Sequence, residues 1–383
     1  MRRHVLVPFG TRPEVIKLAP VVRALRAAGH RVSTVDTGQQ ADGAMRTALH
    51  AELGLYPDRS YQLPGTGTAA RLGALTADAV QAVADSDAQV VLALGDTHTV
   101  PAYALAARLA GRPFAHLEAG LRSFNQRSVE EGNRRVAAAT AALHLAPTAR
   151  AAAFLSAEGV PAHRVFVVGN PVVDVLRAQG VTPVPVPARH GVLVTAHRSS
   201  NVDDPARLAR LVRLVAELAR LTGPVLFPVH PRTADRLAAA GLAGDLAAAP
   251  GVRPCAPLPY RDLLAALAGS RVVVTDSGGI QEEAAYLGVP VVLLRRSTPR
   301  WEGVDAGSTV LAGLTGEADA ALALAATAAF LDPTEQVRVA GLPCPYGAGD
   351  TGERVAAILA DPATTGLLEL VEPDFTGARA APR

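Results

Sequence analysis

The sequence predicts an α/β protein made of two Rossmann-like, doubly wound domains that face each other across a cleft. Three observations lead there. Short apolar runs alternate with Ala/Leu/Arg helical patterns almost throughout, the pattern of βαβ units and parallel sheets. The 383 residues exceed the size at which a single core stops growing, about 250 to 300 residues. A Pro-rich stretch, VTPVPVPARH from Val181 to His190, splits the alternating series in two.

In the first series, strands are expected near His4–Pro8, Arg31–Thr37, Gln89–Leu94, Pro113–His116, Leu143–Ala146 and Arg164–Val168. Helices intervene, among them Lys17–Ala28, Thr99–Leu109 and Thr148–Gly159. The second series has strands near Gly191–Thr195, Val225–Pro228, Val252–Cys255, Arg271–Thr275 and Val289–Leu294. Helices near Pro205–Leu221, Arg261–Ala268 and Gly279–Leu287 separate them. Residues 1–175 are expected to form the N-terminal domain and 185–355 the C-terminal one, with the segment from about 355 to 383 packing back on the first.

Composition narrows the function. Hydrophobic residues make up 49% of the chain and charged ones 19%, enough for two cores. The formal net charge of +2, without clustered basic residues among stacking aromatics, argues against nucleic acid as a partner. Cys255 and Cys344 lie far apart, which suits a reducing compartment and no structural zinc. MRRHVLVPFG runs straight into a strand, with no stretch of signal-peptide or membrane-spanning length, so a soluble cytoplasmic protein is expected. The Arg/Ala/Gly/Pro/Val bias is that of a GC-rich coding sequence, and it leaves one lysine, Lys17, and four asparagines: Asn125, Asn133, Asn170 and Asn201. A lysine that survives such drift is a candidate for a place needing a compact point charge.

Ligands of doubly wound sheets bind beyond the carboxyl ends of the strands, so the informative residues should follow strands. FGTRPEVIKLAP (Phe9–Pro20) turns from the first strand into a helix, and Gly10, Arg12 and Lys17 suit phosphate at a helix N-terminus; an ordinary turn with solvated charges is the alternative. TDSGGIQEEAAYLGVP (Thr275–Pro290) gives a second such turn, with Ser277 as cap and Gly278 and Gly279 letting backbone N–H groups approach an anion. Glu283, one turn on, is placed to accept from a ribose diol.

Asp96 and Glu118 follow strands, and Glu130 and Glu131 open a helix, so a parallel sheet gathers them at one rim. Crowded, partly desolvated carboxylates are expected to have raised pKa values, as acid/base work requires. Asp96 and Glu118 are read as functional, Glu131 as an acid favoured by a helix N-terminus. His197, in VTAHRSSN, is expected to face the cleft from the opposite wall, and His230 and Arg232 end the next strand; lone histidines in such places are often structural. Arg295 and Arg300 suit a nucleotide diphosphate, while Arg296 reads as a solvated charge.

At these residues the chain resembles the non-hydrolysing bacterial UDP-N-acetylglucosamine 2-epimerases. The matching segments are GTRPEVIKLAP, TGQ, GDT, HLEAGLRSFN, EEGNR, GNPVVD, TAHR, PVHPR, PLPY, TDSGGIQEEA and RWEGVDAGS, in family order. The resemblance implies a glycosyltransferase-B-like fold, a homodimer, and a UDP-sugar substrate handled without metal or cofactor. It implies elimination of UDP to a 2-acetamidoglucal and re-addition with C2 inverted. It also implies an acid/base set of Asp96, Glu118, Glu130 and His197, and a UDP pocket of Arg12, Lys17, His197, Ser277, Gly278, Gly279, Glu283 and Arg300, with Gln39 near it. Departures from the family pattern are Gln40 for a histidine, His98 in GDTHT, Ser200 for a glutamate, and Arg296, Pro299 and Trp301 in RRSTPRWE. A hydrolysing epimerase, a glycosyltransferase and a non-catalytic sugar-nucleotide sensor are the competing readings.

Overall fold

The computed structural model describes residues 1–39, 50–65 and 67–370, in two all-parallel sheets. The first comprises β1 (His4–Phe9), β2 (Arg31–Asp36), β3 (Arg59–Ser60), β4 (Val90–Leu94), β5 (Phe114–Leu117), β6 (Leu143–Ala146) and β7 (Val165–Val167), in the order β3-β2-β1-β4-β5-β6-β7. The second comprises β8 (Val192–Thr195), β9 (Val225–Pro228), β10 (Val252–Cys255), β11 (Val272–Thr275), β12 (Val291–Leu293) and β13 (Thr309–Leu311), in the order β10-β9-β8-β11-β12-β13. Both orders reverse direction once, between β1 and β4 and between β8 and β11. Those two switch points bring the turns after β1 and β4, and after β8 and β11, side by side.

The inner strands have no exposed residue because helices cover both sheet faces: β1, β4, β8 and β11 are buried at every position. Continuous Val/Leu runs suit such burial better than an alternating pattern. The expected strands are all present, trimmed or extended by a residue or two. The expectations omitted β3 and β13. Both are edge strands of two or three residues, and Arg59–Ser60 has no apolar signature at all.

The first helix spans Arg12–Ala27, not Lys17–Ala28 as expected. Thr11 and Glu14 form a capping box that starts it early, and Pro13 is tolerated in the first turn where its missing N–H costs nothing. Lys17 therefore sits inside the helix, one turn past its start.

The Pro-rich linker is stitched down. Arg189 is buried and donates to the carbonyls of Val184, Leu287 and Gly288 at 2.8, 3.0 and 2.6 Å, satisfying the C-terminal end of helix Gly278–Leu287. After the second sheet the chain returns to the first. Helix Thr351–Ala360 packs on Arg12–Ala27 so closely that a Cβ at Gly352 would lie 2.9 Å from the Pro20 carbonyl. Tyr346, Val355, Ala356 and Leu359 join the core beneath β1. Asp174 accepts the Thr351 and Gly352 amides at the head of that helix, and Arg3 donates to Leu359 O and Thr365 Oγ1, both at 2.8 Å. The end of the expected returning segment, 371–383, lies outside the described residues. Among the described residues, no helix is long and apolar enough to cross a membrane.

Gly191 leads from the linker into β8 with φ +61°, and a Cβ there would sit 2.3 Å from the Pro224 carbonyl. Gly191→Ala is expected to cost about 1–3 kcal/mol, lowering the melting temperature by several degrees with nucleotide-binding residues untouched. An unchanged melting curve by differential scanning calorimetry rules out this packing.

Candidate active site between the two sheets

Gly10, directly after β1, is held against Thr37: a Cβ there would lie 2.1 Å from Thr37 Oγ1 and 2.8 Å from Gln39 Nε2. The turn is fixed by Glu14, whose Oε2 accepts the Gly10 and Thr11 amides at 2.9 and 2.8 Å. Thr97, beside Asp96, donates to the other Glu14 oxygen at 2.6 Å. Gln39 bonds to Thr99 and lies against the same turn. Gln40 lies outside the described residues. The turns after β1 and β4 are thus one hydrogen-bonded unit.

Lys17, one turn into the first helix, is 6% exposed. Its ammonium donates to Glu118 Oε1 and, at 2.6 Å, to Glu282 Oε2. Glu118 belongs to the first sheet and Glu282 to the second, so the single lysine of the chain bridges the two halves. Arg300 Nε donates to the other Glu282 oxygen at 2.9 Å. Glu282 is fully buried; burial pushes its carboxyl up, and Arg300 and Lys17 together pull it below the usual range. Sequence reasoning chose Glu283 from this pair and missed Glu282. Glu283, the residue named from the sequence, accepts the Tyr260 hydroxyl at 2.8 Å; burial lifts its carboxyl to about 7. Arg12 is close enough that its charge acts on Glu283 and on His230.

Glu118 adopts φ +63°, a left-handed conformation rare for a residue with a side chain. Asn170 donates to its Oε1 at 2.8 Å while capping helix Pro171–Ala178 with its own oxygen. Asp96 is gripped by Arg134 Nε at 3.1 Å, and Asn133 donates to the Asp96 carbonyl at 2.8 Å. The expectation of raised pKa values at this rim is overturned for two members. Burial pushes Asp96 up, but Arg134, Arg300 and Arg198 outweigh it and hold the carboxyl below its ordinary range. Glu130 is likewise lowered, burial being outweighed by the Ser128 hydroxyl and the nearby Arg198. The cations that cause this come from distant sequence. Among the carboxyls beside these turns, Glu283 and Glu14 are raised, both lifted to about 7 by burial.

Glu131 is a structural clamp. It accepts Ser123 N and Oγ at 2.8 and 2.9 Å, Phe124 N at 3.3 Å and Arg134 Nη1 at 2.8 Å, tying the segment after Glu118 to Asp96's partner.

On the opposite wall, Asp276 follows β11 and is wholly buried. It accepts the amides of His197 at 3.1 Å and Arg198 at 3.0 Å and the Asn201 side chain at 3.1 Å. His197 Nδ1 stands 3.4 Å from Asp276 Oδ1, and its ring lies tilted against that of His230, centroids 5.2 Å apart. Burial lowers the His197 pKa and Asp276 only partly offsets it, which favours the neutral imidazole. Asp276 is the second residue that sequence reasoning missed. Of the four asparagines, Asn133, Asn170 and Asn201 all bond to a cleft acid, and that scarcity was the available signal.

Ser277 occupies the N-cap position of helix Gly278–Leu287, but its hydroxyl does not cap, contrary to expectation. It stays available to a ligand. Gly278 lets Arg300 lie against this helix start: a Cβ would fall 2.9 Å from Arg300 Nη1. Space beside Gly279 is open. Arg295, whose pKa burial lowers to about 10, adds a third guanidinium near Arg198 and Arg300, and its Nη1 has no partner. Arg296 pairs with Asp319 at 2.7 Å on the surface. His230 caps helix Pro231–Ala239 through Nδ1, and Arg232 pairs with Asp203.

Residues 23–360 match the family model described as UDP-N-acetylglucosamine 2-epimerase. The chain belongs to this epimerase family. A Methanocaldococcus jannaschii relative, named UDP-N-acetylglucosamine 2-epimerase, is 33% identical over 365 residues, spanning 92% of this chain and 97% of its own. A Pseudomonas aeruginosa relative, named UDP-2,3-diacetamido-2,3-dideoxy-D-glucuronate 2-epimerase, is 32% identical over 364 residues, spanning 93% of this chain and 99% of its own. The crystal structure of the Methanocaldococcus jannaschii UDP-GlcNAc 2-epimerase in complex with UDP-GlcNAc and UDP superposes with a TM-score of 0.83 at 31% identity, covering 93% of this chain and 99% of that one. The fold is the glycosyltransferase-B-like pair of doubly wound domains. In this family member Ser200 lies in the short helix Ser199–Val202, where its carbonyl accepts Arg207 Nη1 at 2.7 Å. His98 is the residue before helix Thr99–Leu109.

Glu283 has a testable consequence. Its pKa rises from 4.5 in the unfolded chain to about 7 in the folded one, so between these pH values the folded state holds a proton that the unfolded state releases. The stability it contributes is full below about pH 4.5 and is lost as pH rises to about 7, by at most about 3 kcal/mol. Glu283→Gln, which cannot ionise, should therefore gain stability relative to the parent between about pH 5 and pH 7.5 in urea unfolding. A parent-to-variant difference that stays flat over this interval refutes the raised pKa.

Proposed function

We propose that the chain is a non-hydrolysing UDP-N-acetylglucosamine 2-epimerase, interconverting UDP-GlcNAc and UDP-ManNAc. One observation carries the reading: Lys17 joins a cleft carboxylate of the first sheet to the cation-bearing, helix-N-terminal wall of the second. Inversion at C2 needs a group to remove a weakly acidic C–H, a group to return a proton on the other face, and positive charge where the diphosphate departs.

In the proposed reaction a base of the cleft takes the C2 proton while the C1–O bond breaks, its electron pair passing to the UDP oxygen and leaving a C1=C2 double bond. UDP then adds back at C1 as C2 receives a proton on the opposite face. Asp96, Glu118, Glu130 and His197 form the acid/base set. The cations beside Asp96 favour its ionised form, and His197 is held by the Asp276 carboxylate, which accepts its backbone amide and lies beside its ring. Arg12, Lys17, Gln39, His197, Ser277, Gly278, Gly279, Glu283 and Arg300 hold UDP, with Glu283 serving the ribose and Arg300 and Lys17 the diphosphate. The free Ser277 hydroxyl and the open space beside Gly279 support this placing of the phosphates.

The domain limits proposed are 1–175 and 185–355, with the chain from about 355 returning; the core position of Tyr346 supports the return and draws its beginning earlier. The active form is a homodimer in the cytoplasm in this reading. Leu72 and Val80, 40% and 36% exposed on helix Thr68–Ala84, are the kind of apolar surface a second copy covers, and both cysteines are free thiols.

Incubation with UDP-GlcNAc in heavy water, followed by NMR, tests the activity. Deuterium at C2 in a gluco/manno mixture still bound to UDP is expected. Free N-acetylmannosamine instead indicates a hydrolase, and exchange confined to UDP-2,3-diacetamido-2,3-dideoxy-D-glucuronate moves the substrate to that sugar. Asp96→Asn and Glu118→Gln should each slow exchange by at least about 10²-fold. Near-parental exchange in either removes that residue from the acid/base set.

A further inference from the structure

Beyond Lys17, the two halves meet at a second place, around the short helix Trp301–Asp305. Trp301 Nε1 donates to the Arg122 carbonyl at 2.7 Å. Thr148 Oγ1 donates to Glu302 at 2.5 Å, and Arg150 pairs with Asp305 at 2.9 Å. The Trp301 ring lies 6.5 Å from that of Phe124, which in turn meets Phe154 edge-on at 5.1 Å.

These contacts fall on the segment that runs on from Glu118. Arg122 is four residues past that carboxylate, and Phe124 adopts φ +55°, a conformation that needs outside support. Inside the first half, Glu131 holds the same segment by the Ser123 and Phe124 amides. From the second half, the only direct hydrogen bond to its backbone among the described residues is the one from Trp301. Trp301 adjoins Arg300, whose guanidinium lies on Glu282 and against Gly278. One peptide unit therefore links the cations of the nucleotide wall to the backbone that sets the strained Glu118.

We propose that Trp301 is a positioning residue: its indole N–H fixes the segment after Glu118 and, through the adjoining Arg300, couples nucleotide engagement to the placement of that carboxylate. The proposal rests on the epimerase reading above. It places the effect on proton transfer at C2, not on nucleotide affinity, because Trp301 itself faces Arg122 and not the Ser277–Gly279 turn.

Trp301 is the single tryptophan, so its emission reports this contact alone. Two replacements remove the N–H: Trp301→Phe, and biosynthetic substitution of the single tryptophan by its benzothienyl analogue, which keeps the ring shape should the phenylalanine variant fail to fold. Each should lower the kcat of C2 exchange at saturating UDP-GlcNAc by about 10- to 100-fold, the scale of a small misplacement of a reacting group. The Kd for UDP by calorimetry should stay near the parent's. Parental kcat with the N–H removed overturns the proposal, and so does a loss of UDP affinity as large as the loss of exchange. Should the parent itself exchange nothing, the epimerase reading fails, and the coupling is judged by fluorescence. A UDP-dependent shift of Trp301 emission then sustains it; identical spectra with and without saturating UDP overturn it.

Discussion

A lysine ammonium held in the interior between two glutamates is the constraint on which the rest of this structure depends. Moving Lys17 out of water is costly, and so is burying either glutamate alone. Together they satisfy one another: Glu118 and Glu282 share the ammonium, and Glu282 also takes Arg300. Each half brings one ion pair, Lys17 with Glu118 and Arg300 with Glu282, and the Lys17–Glu282 bond joins the two into one network across the cleft. The closed arrangement of the halves and the charge state of the cleft are therefore one property. Removing any single member leaves an uncompensated buried charge, a larger perturbation than the loss of a surface ion pair.

The same logic explains why the fold places its irregular backbone where it does. Both sheets reverse strand order beside the cleft, and their covering helices leave the carboxyl ends of the strands there as the open rim. Gly10, Gly278 and the left-handed Glu118 all follow strands at that rim. Glu14 and Asp276 then fix the turns by gathering backbone amides, so that Asp96, Arg12 and His197 project from backbone already satisfied. An active site built this way needs little rearrangement of its polar backbone when charge develops in a reaction.

Much of this was legible in the sequence, for identifiable reasons. Buried parallel strands read as unbroken Val/Leu runs, so β1, β4, β8 and β11 were plain, whereas Arg59–Ser60 forms a strand only because β2 offers it an edge. Lys17 was found through compositional drift, and the asparagines through the same drift. The part played by Glu282 was not legible. Adjacent helical residues point about 100° apart, and that Glu282 meets Lys17 while Glu283 meets Tyr260 depends on how helix Gly278–Leu287 rolls against its neighbours. The pKa directions at the acidic rim were misjudged for a related reason. Crowding of carboxylates is visible in sequence spacing, but the answering cations Arg134, Arg198 and Arg300 converge on Asp96 only in three dimensions.

Glu282 gives the cleft an anion of its own. In the proposed reaction the diphosphate must approach Lys17 and Arg300, the two cations that Glu282 already engages. Binding is then an exchange of one anion's partners for another's, so the net attraction is smaller than two buried cations would otherwise exert. That suits a reaction in which UDP leaves carbon and must return to it. Cations too tightly committed to the free diphosphate would stabilise the separated intermediate and slow re-addition, while cations without an internal partner could not be kept buried between turnovers. A carboxylate that shares them moderates both extremes, and it does so from the half opposite Glu118, so that relaxing its hold on Lys17 also alters what Glu118 feels.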